Sequence, residues 1–409
     1  FRDVFFHPIV ADEHGKKMSK SKGNAIDPID LIEEYGADAL RIALASYSSR
    51  EQHIAFSVKE LEGYRNFMNK LWNASRLILT NVKDVDHRVI AAAGPLTPAD
   101  REALALEDRW ILSRYARCVR TMNEALASFD FDVAVKAFRE FFWNDFCDYY
   151  LELVKPRLYQ TPEELSSSSE AERSRTTAQG ILVTILEGSL RLLHPFCPFI
   201  TEEIWQAVRS LVKAESAPEL ELDGALGART LAALKSPSIM VAPWNEFTPD
   251  ALLDETAERE IALLQEVLYA IRNIRGEMKL PPSMPAALTL AAADTERRAL
   301  LERQRGFFTT LTNVKSLAVA ERAEPPAFAA TAVAAGVVIF VELPEEMRGQ
   351  EIERLERELA RLTADRSRLE AKLGNEAFTA KAPAAVVEKE RARLATLDQE
   401  RNELEEKLR

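Results

Sequence analysis

Residues 15–46 read Gly-Lys-Lys-Met-Ser-Lys-Ser-Lys-Gly-Asn-Ala-Ile-Asp-Pro-Ile-Asp-Leu-Ile-Glu-Glu-Tyr-Gly-Ala-Asp-Ala-Leu-Arg-Ile-Ala-Leu-Ala-Ser, and two kinds of chain meet within them. Gly15 to Gly23 reads as a loop. Four lysines (Lys16, Lys17, Lys20, Lys22) fall within seven positions, with small residues between them and a glycine at each end. Asp27-Pro28-Ile29-Asp30 then predicts a helix start, with Asp27 as N-cap, Pro28 at the first helical position and Asp30 in the first turn. Gly36 ends that helix, and Asp38 to Ala45 reads as another. Upstream, Phe5-Phe6-His7-Pro8-Ile9-Val10 is a short apolar run that reads as a strand. The lysines thus sit between a strand and a capped helix. Mobile ammonium groups so placed suit a triphosphate whose negative charge grows as pyrophosphate leaves. By composition alone, a basic surface loop without a role is an equally good reading.

Around this loop the protein is acidic: 53 Lys+Arg against 65 Asp+Glu give a formal charge of −12. Generic adhesion to polyanions or membrane surfaces is therefore disfavoured, and nucleic-acid contact must come from local basic patches. Apolar residues make up 47 % and charged ones 29 %, enough to bury a real core and unlike a disordered tail. At about 100–200 residues per domain, 409 residues predict two to four domains. Cys118, Cys147 and Cys197 are far apart with no CxxC, which predicts neither a disulfide framework nor a zinc site and points to a reducing, cytoplasmic setting. Pro325 to Val341 carries no charge, but it is shorter than the roughly 20 strongly apolar residues a membrane span needs. It predicts a loop followed by a buried β-branched strand, Gly336 to Val341. The chain opens at Phe1 with no signal-peptide pattern, which reads as a piece of something longer.

Val58 to Thr80 is a strong amphipathic helix, followed by a looser Ala/Gly/Pro stretch to Pro98. From Glu107 to Trp205 the pattern is almost wholly helical, with Phe129, Phe131, Phe138, Phe141, Phe142, Trp143, Phe146, Tyr149 and Tyr150 crowded together. This predicts a helix bundle whose aromatic cluster is core rather than a base-stacking platform. Ser166 to Ser169 reads as a polar link between two of its helices. Residues 255–343 alternate helix (Glu258–Lys279), strand (Ala287–Ala292), helix (Glu296–Leu311) and strands (Ser316–Ala320, Val337–Leu343), a small α/β unit. In the last 65 residues Ile352, Leu355, Leu359, Leu362, Leu369 and Leu373 keep a/d spacing with Arg366 in the seam. After Gly374, Val387, Leu394, Leu397, Leu404 and Leu408 repeat it around Arg401, predicting an antiparallel coiled-coil hairpin. An intramolecular hairpin removes the main reason to expect a coiled-coil dimer, so a monomer is expected.

No Walker loop, GxSxG, HExxH or GxGxxG occurs. His7, His14, His53, His87 and His194 are scattered and read as packing, turn or surface residues. The many acids on helix faces read as mostly solvated. The order of residues in 15–46 decides what composition leaves open. With Lys17-Met18-Ser19-Lys20-Ser21 intact and Asp27-Pro-Ile-Asp-Leu-Ile-Glu-Glu-Tyr-Gly-Ala-Asp-Ala-Leu-Arg41 behind it, the stretch resembles the KMSKS signature of class I aminoacyl-tRNA synthetases. The resemblance implies a loop that closes over ATP, accompanied by Mg²⁺, during amino-acid activation. Lys20 is then the lysine at the ATP phosphates and Lys17 a supporting one, with Met18, Ser19 and Ser21 completing the ATP-binding loop. It implies no bound metal in this part.

Gly63 to Ala74 is similar to the helix leading these enzymes into their anticodon-binding domain, and Trp143–Lys155 and Leu193–Trp205 are similar to that domain in the Val/Ile/Leu subgroup. Prolines 195 and 198 precede a helix whose expected start is Thr201, backed by Glu202 and Glu203. Ile271–Met278 with Pro281-Pro282, and the hairpin tip Gly374–Val387, resemble the valine members of the subgroup. The resemblance thus implies a mainly α chain in five parts. Residues 1–47 end a Rossmann-type catalytic domain, 48–107 connect, 108–254 form the anticodon-binding bundle, 255–343 a small α/β junction, and 344–409 a coiled-coil tRNA-binding arm. Within 345–409, 14 Lys+Arg face 16 Asp+Glu, so the arm is no simple basic rod. The implied partners are tRNA(Val), L-valine and ATP, without a membrane. The family's HIGH-type motif, amino-acid pocket and editing domain precede its KMSKS loop, so this chain alone is expected not to activate valine. An isoleucine or leucine enzyme, and a stand-alone tRNA-binding or scaffold protein with a vestigial loop, are the alternatives. Basic positions on the bundle such as Arg114, Arg117, Arg120 and Lys136 are open to phosphates, but each reads first as an ordinary surface charge.

Overall fold

A computed structural model describes residues 3–47, 53–83, 85–94, 98–213, 226–246, 252–374 and 384–408. They divide into two compact units, 1–262 and 263–409.

The first unit opens with β1 (Ile9–Ala11), which pairs in parallel with β2 (His53–Ala55), Ile9 opposite His53 and Ala11 opposite Ala55. Pairing starts later than the apolar run suggests. Phe6 stays 85 % exposed, and Phe5 packs its ring on Phe129 and Phe131. Between the strands lie the lysine loop, α1 (Pro28–Tyr35) and α2 (Ala37–Ala45). Asp27 caps α1 by accepting from the Ile29 amide at 2.9 Å. Gly36, at φ 90°, closes it with its own amide on Ile32 O.

Helices follow almost without interruption: α3 (Val58–Asn81), α4 (His87–Ala91), α5 (Pro98–Glu102), α6 (Leu106–Ala127) and α7 (Phe131–Arg139). A π-helical stretch, Glu140–Tyr150, runs directly from α7 into α8 (Leu151–Leu158). Then come α9 (Pro162–Ser167), α10 (Ser169–Leu193), α11 (Pro198–Leu211), α12 (Leu226–Leu234) and α13 (Glu255–Glu277). The π stretch has a packing reason. Phe138, Phe142, Phe146 and Tyr150 recur every fourth residue, and successive ring centroids lie 5.6, 5.4 and 6.0 Å apart. A four-residue spacing drifts around a 3.6-residue helix, and the wider π turn keeps these rings on one buried face. The aromatic cluster is therefore largely core: Phe138, Phe141, Phe142, Phe146 and Tyr150 are all buried.

Asp108 and Glu187 depart furthest from the solvated expectation. Asp108 is fully buried and accepts from Tyr150 Oη (2.8 Å) and both Arg157 Nη atoms (2.8 and 2.9 Å). Glu187, also fully buried, accepts from Arg191 Nε and Nη2 (2.7 and 2.8 Å) and from the Trp205 indole (3.1 Å). Each tolerates burial because its lone pairs are shared among several donors.

The second unit holds a four-stranded sheet. Strand β3 (Ala286–Ala291) leads through α14 (Thr295–Arg303) and α15 (Arg305–Leu311) to β4 (Val314–Ala320), parallel to it. The helix expected over Glu296–Leu311 is thus two, broken at Gln304, and the break lets Leu300-Leu301 and Phe307-Phe308 both reach the core. Strands β5 (Ala329–Ala334) and β6 (Val337–Glu342) form an antiparallel hairpin, giving the order β4-β3-β6-β5. Strand β5 falls where the sequence predicts loop. Its alanines carry little strand preference, and pairing with β6 across a two-residue turn decides the outcome. Both turn residues, Ala335 and Gly336, have positive φ (49° and 69°), as a type I′ hairpin requires. Last come α16 (Glu345–Gly374) and α17 (Ala384–Leu408). Leu355, Leu362 and Leu404 form their buried seam. Arg366 pairs with Asp398 and Lys372 with Glu390, so partners move backward as the first helix advances and the two run antiparallel. The hairpin tip, 375–383, lies outside the described residues. Among the described residues, no helix is long and apolar enough to cross a membrane.

Candidate functional site

The lysine loop is built on one aspartate at the end of β1. Asp12 Oδ1 accepts from the amides of His14 (3.1 Å) and Lys16 (2.8 Å), and Oδ2 accepts from Asn24 Nδ2 (2.9 Å). Asn24 completes the staple: Nδ2 also reaches Lys17 O (3.3 Å), and Oδ1 accepts from the Ser19 amide (2.9 Å). The two ends of the loop are thereby tied together at its base. The Asn24 bond, ahead of those from the Lys16 and His14 amides, holds the Asp12 carboxyl below the usual carboxylate range. Gly15 (φ 73°) and Gly23 (φ 68°) take the left-handed turns at either side.

Lys17 is exposed, its backbone bridged to Ala11. Met18 and Ser19 are half-buried, and the Ser19 and Ser21 hydroxyls lie 3.3 Å apart. Lys20 opens a short 3-10 turn, Lys20–Lys22, whose Lys22 amide donates to Ser19 O at 3.1 Å. The Lys20 side chain lies outside the described residues. Lys16 and Lys22 are exposed with Lys17, so the loop presents ammonium groups to solvent above a hydrogen-bonded base. Asp12 and Asn24 are the positioning residues the sequence reading passes over; an Asp ending a strand and an Asn after a turn glycine are the signals.

Two residues of α2 fasten this segment to the bundle. Asp38 is nearly buried, and its oxygens accept from the amides of Phe199 (3.3 Å) and Ile200 (2.7 Å). Those are the second and third residues of α11, whose own N-cap, Cys197, makes no side-chain cap bond. Asp38 therefore caps a helix more than 150 residues away in sequence. Arg41 donates Nη2 to Pro195 O and Nε to Phe196 O, each at 3.0 Å. Helix α11 consequently begins at Pro198, not at Thr201. Thr201 lies inside the first turn, its hydroxyl donating to Cys197 O at 2.6 Å, because Pro198 occupies N1 and the cap comes from elsewhere.

A groove on the bundle, with a cavity of about 500 Å³, is lined by Ser46, Tyr64, Lys136, Arg139, Trp143 and Asn144. The Arg139 guanidinium lies 5.5 Å from the Tyr64 ring centroid and 6.0 Å from that of Trp143. Lys136 is exposed there. Of the other basic positions, Arg114 pairs with Asp145 (2.8 Å), Arg117 with Glu258 (2.7 Å), and Arg120 also has a partner within the protein. The cysteines are buried free thiols. Burial pushes all three up, Cys147 to about 12, so they pack as small apolar groups. Among the described residues no group of three or more His, Cys, Asp or Glu is placed to hold a metal ion.

Three family models match the chain in order. "tRNA synthetases class I (I, L, M and V)" covers residues 1–57, "Anticodon-binding domain of tRNA ligase" covers 108–290, and "Valyl tRNA synthetase tRNA binding arm" covers 349–409. The valine–tRNA ligase of Geobacillus stearothermophilus is 37 % identical over 392 residues, 96 % of this chain and 40 % of its own. That of Symbiobacterium thermophilum is 40 % identical over 418 residues, all of this chain and 42 % of its own. That of Geobacter sulfurreducens is 38 % identical over 405 residues, 99 % and 41 %. The chain spans about two-fifths of the length of these curated relatives. With its synthetase segment, anticodon-binding domain and tRNA-binding arm all matched in order, the chain is homologous along nearly its whole length to the C-terminal part of valine–tRNA ligases.

Proposed function

We propose that this chain is the tRNA-holding part, with one edge of the ATP site, of an enzyme that attaches L-valine to tRNA(Val) through valyl-adenylate. The observation that carries the reading is the stapled lysine loop, followed in one chain by two segments similar to tRNA-binding domains. In the first step a valine carboxylate oxygen attacks the α-phosphorus of ATP and pyrophosphate leaves. Negative charge builds on the departing phosphates, where Lys20 stabilises it and Lys17 supports it. Met18, Ser19 and Ser21 shape the loop that carries them. Mg²⁺ enters with ATP as part of the substrate, and no residue of this chain is assigned to it.

The remaining domain assignments follow the same reading: 1–47 ends a Rossmann-type catalytic domain, 48–107 connects, 108–254 is the anticodon-binding bundle, 255–343 the junction and 344–409 the coiled-coil arm. The groove of Lys136, Arg139 and Trp143 suits RNA, since cations beside aromatic faces serve phosphates and bases together. The protein acts as a monomer in the cytoplasm. In the full-length enzyme, Lys20→Ala should lower ATP–pyrophosphate exchange on the order of 10²–10³-fold while leaving tRNA affinity in place. Exchange at the parental rate would contradict the role given to the loop.

A further inference from the structure

The second unit, which takes in α13 from Leu263 onward, holds positive charge that no carboxylate answers among the described residues. Arg275 is 6 % exposed, and its hydrogen bonds go to backbone carbonyls: Nη1 to Asn313 O (3.3 Å), and Nη2 to Pro281 O (3.1 Å) and Met284 O (2.6 Å). Arg272, one turn earlier on α13, is exposed and donates Nη2 to Leu311 O at 3.1 Å. Neither makes an ion pair among the described residues. A guanidinium has about five N–H donors and stays protonated, so Arg272 keeps most of its donors for a group outside the protein. The segments 271–285 and 309–315 carry Arg272, Arg275, Lys279 and Lys315 against one acid, Glu277, in a chain of net charge −12.

Both arginines line a cavity of about 610 Å³ together with Gly276, Thr309, Thr310 and Asn313. A Cβ at Gly276 would meet nothing within 4 Å, so the cavity is open at that point of α13. Capping the end of α15 accounts for one N–H of Arg272. Neither that bond nor the turn held by Arg275 accounts for the remaining Arg272 donors or for the open cavity beside them.

We infer that this cavity receives a phosphate of the bound RNA, with the Arg272 fork on its oxygens, a threonine hydroxyl beside it, and Arg275 holding the wall. The inference rests on the tRNA reading above. RNA is favoured as the source because one tRNA-ligase model includes both arginines and the tRNA-arm model begins at 349.

The test titrates the full chain with tRNA(Val) at several salt concentrations, comparing wild type, Arg272→Ala and Arg272→Lys; Arg275 is left intact because it holds the 281–284 turn. The alanine variant should bind on the order of three- to tenfold more weakly at low salt and show a log–log salt slope smaller by about one. The lysine variant should keep most of both, and melting temperatures should match. A salt slope unchanged in Arg272→Ala overturns the site. Wild-type chain that fails to bind tRNA overturns the tRNA reading itself, a result visible before any variant is made. Inorganic phosphate that binds wild type but not Arg272→Ala, with tRNA affinity equal in both, assigns the cavity to free phosphate and also overturns the RNA proposal.

Discussion

The lysine loop and the helix after it belong to one continuous stretch, yet they are held in opposite ways. Lys16, Lys17, Ser21 and Lys22 are exposed, and the loop rests on a staple of two side chains, Asp12 and Asn24. In α2, by contrast, Asp38, Ala39, Leu40, Ile42 and Ala43 are all buried, and Asp38 and Arg41 reach across to α11 and the turn before it. A loop that must meet a substrate and release its product needs few contacts of its own, while its base needs many. On the proposed role of the loop, the residues that carry chemistry, Lys17 and Lys20, and those that fasten the segment to the bundle, Asp38 and Arg41, are separate sets about twenty residues apart.

Substitutions should separate the two sets. The largest expected effect is on activity alone: Lys20→Ala, with its hundredfold or greater loss of exchange, should shift unfolding by no more than about 0.5 kcal/mol. A clear loss of stability in that variant would erase the distinction. Among stability effects, Asp108→Ala should be the greatest. It leaves the Arg157 guanidinium and the Tyr150 hydroxyl without their buried acceptor, a loss of about 3–5 kcal/mol readable by denaturant unfolding.

Removing the long-range cap should cost less. Asp38→Ala is expected to destabilise by about 1–2 kcal/mol, with Asp38→Asn intermediate because its single amide oxygen can still accept from one of the two amides, Phe199 or Ile200. Equal stability of all three proteins would show that the α11 terminus is satisfied without α2. The smallest effect concerns pH. His194 Nδ1 lies 2.7 Å from Thr201 Oγ1, and burial lowers its pKa. The folded state thus prefers the neutral ring. Its contribution is fully present above the unfolded value of about 6.5 and is lost as pH falls through the lower folded value. Thermal melts from pH 7 to 5 should show a slight decline that His194→Gln abolishes.

The stretch 15–46 was legible for particular reasons. Lysine order, the Asp27-Pro28 cap and Gly36 are local signals, and each appears in the structure within a residue of its expected place. Asp38 and Arg41 were not legible, because an acid in a first turn and an arginine on a helix look ordinary until a partner distant in sequence is known. The same holds for Asp108 and Glu187, acids whose burial depends on tertiary donors. Strand β5 escaped notice because alanine names no preference and its pairing is made by β6. The aromatic ladder was visible as a cluster, but the π turn that aligns it follows from packing rather than from any residue signal.

The proposed tRNA role is best tested by equilibrium binding of this chain to tRNA(Val), to an anticodon-swapped tRNA(Val) and to an unrelated tRNA, at two salt concentrations. Phosphate contacts alone give affinity that falls steeply with salt and ignores sequence. A bundle that reads the anticodon should prefer tRNA(Val), with the preference weakening on the anticodon swap and persisting at the higher salt. Equal, salt-fragile binding to all three would contradict that role.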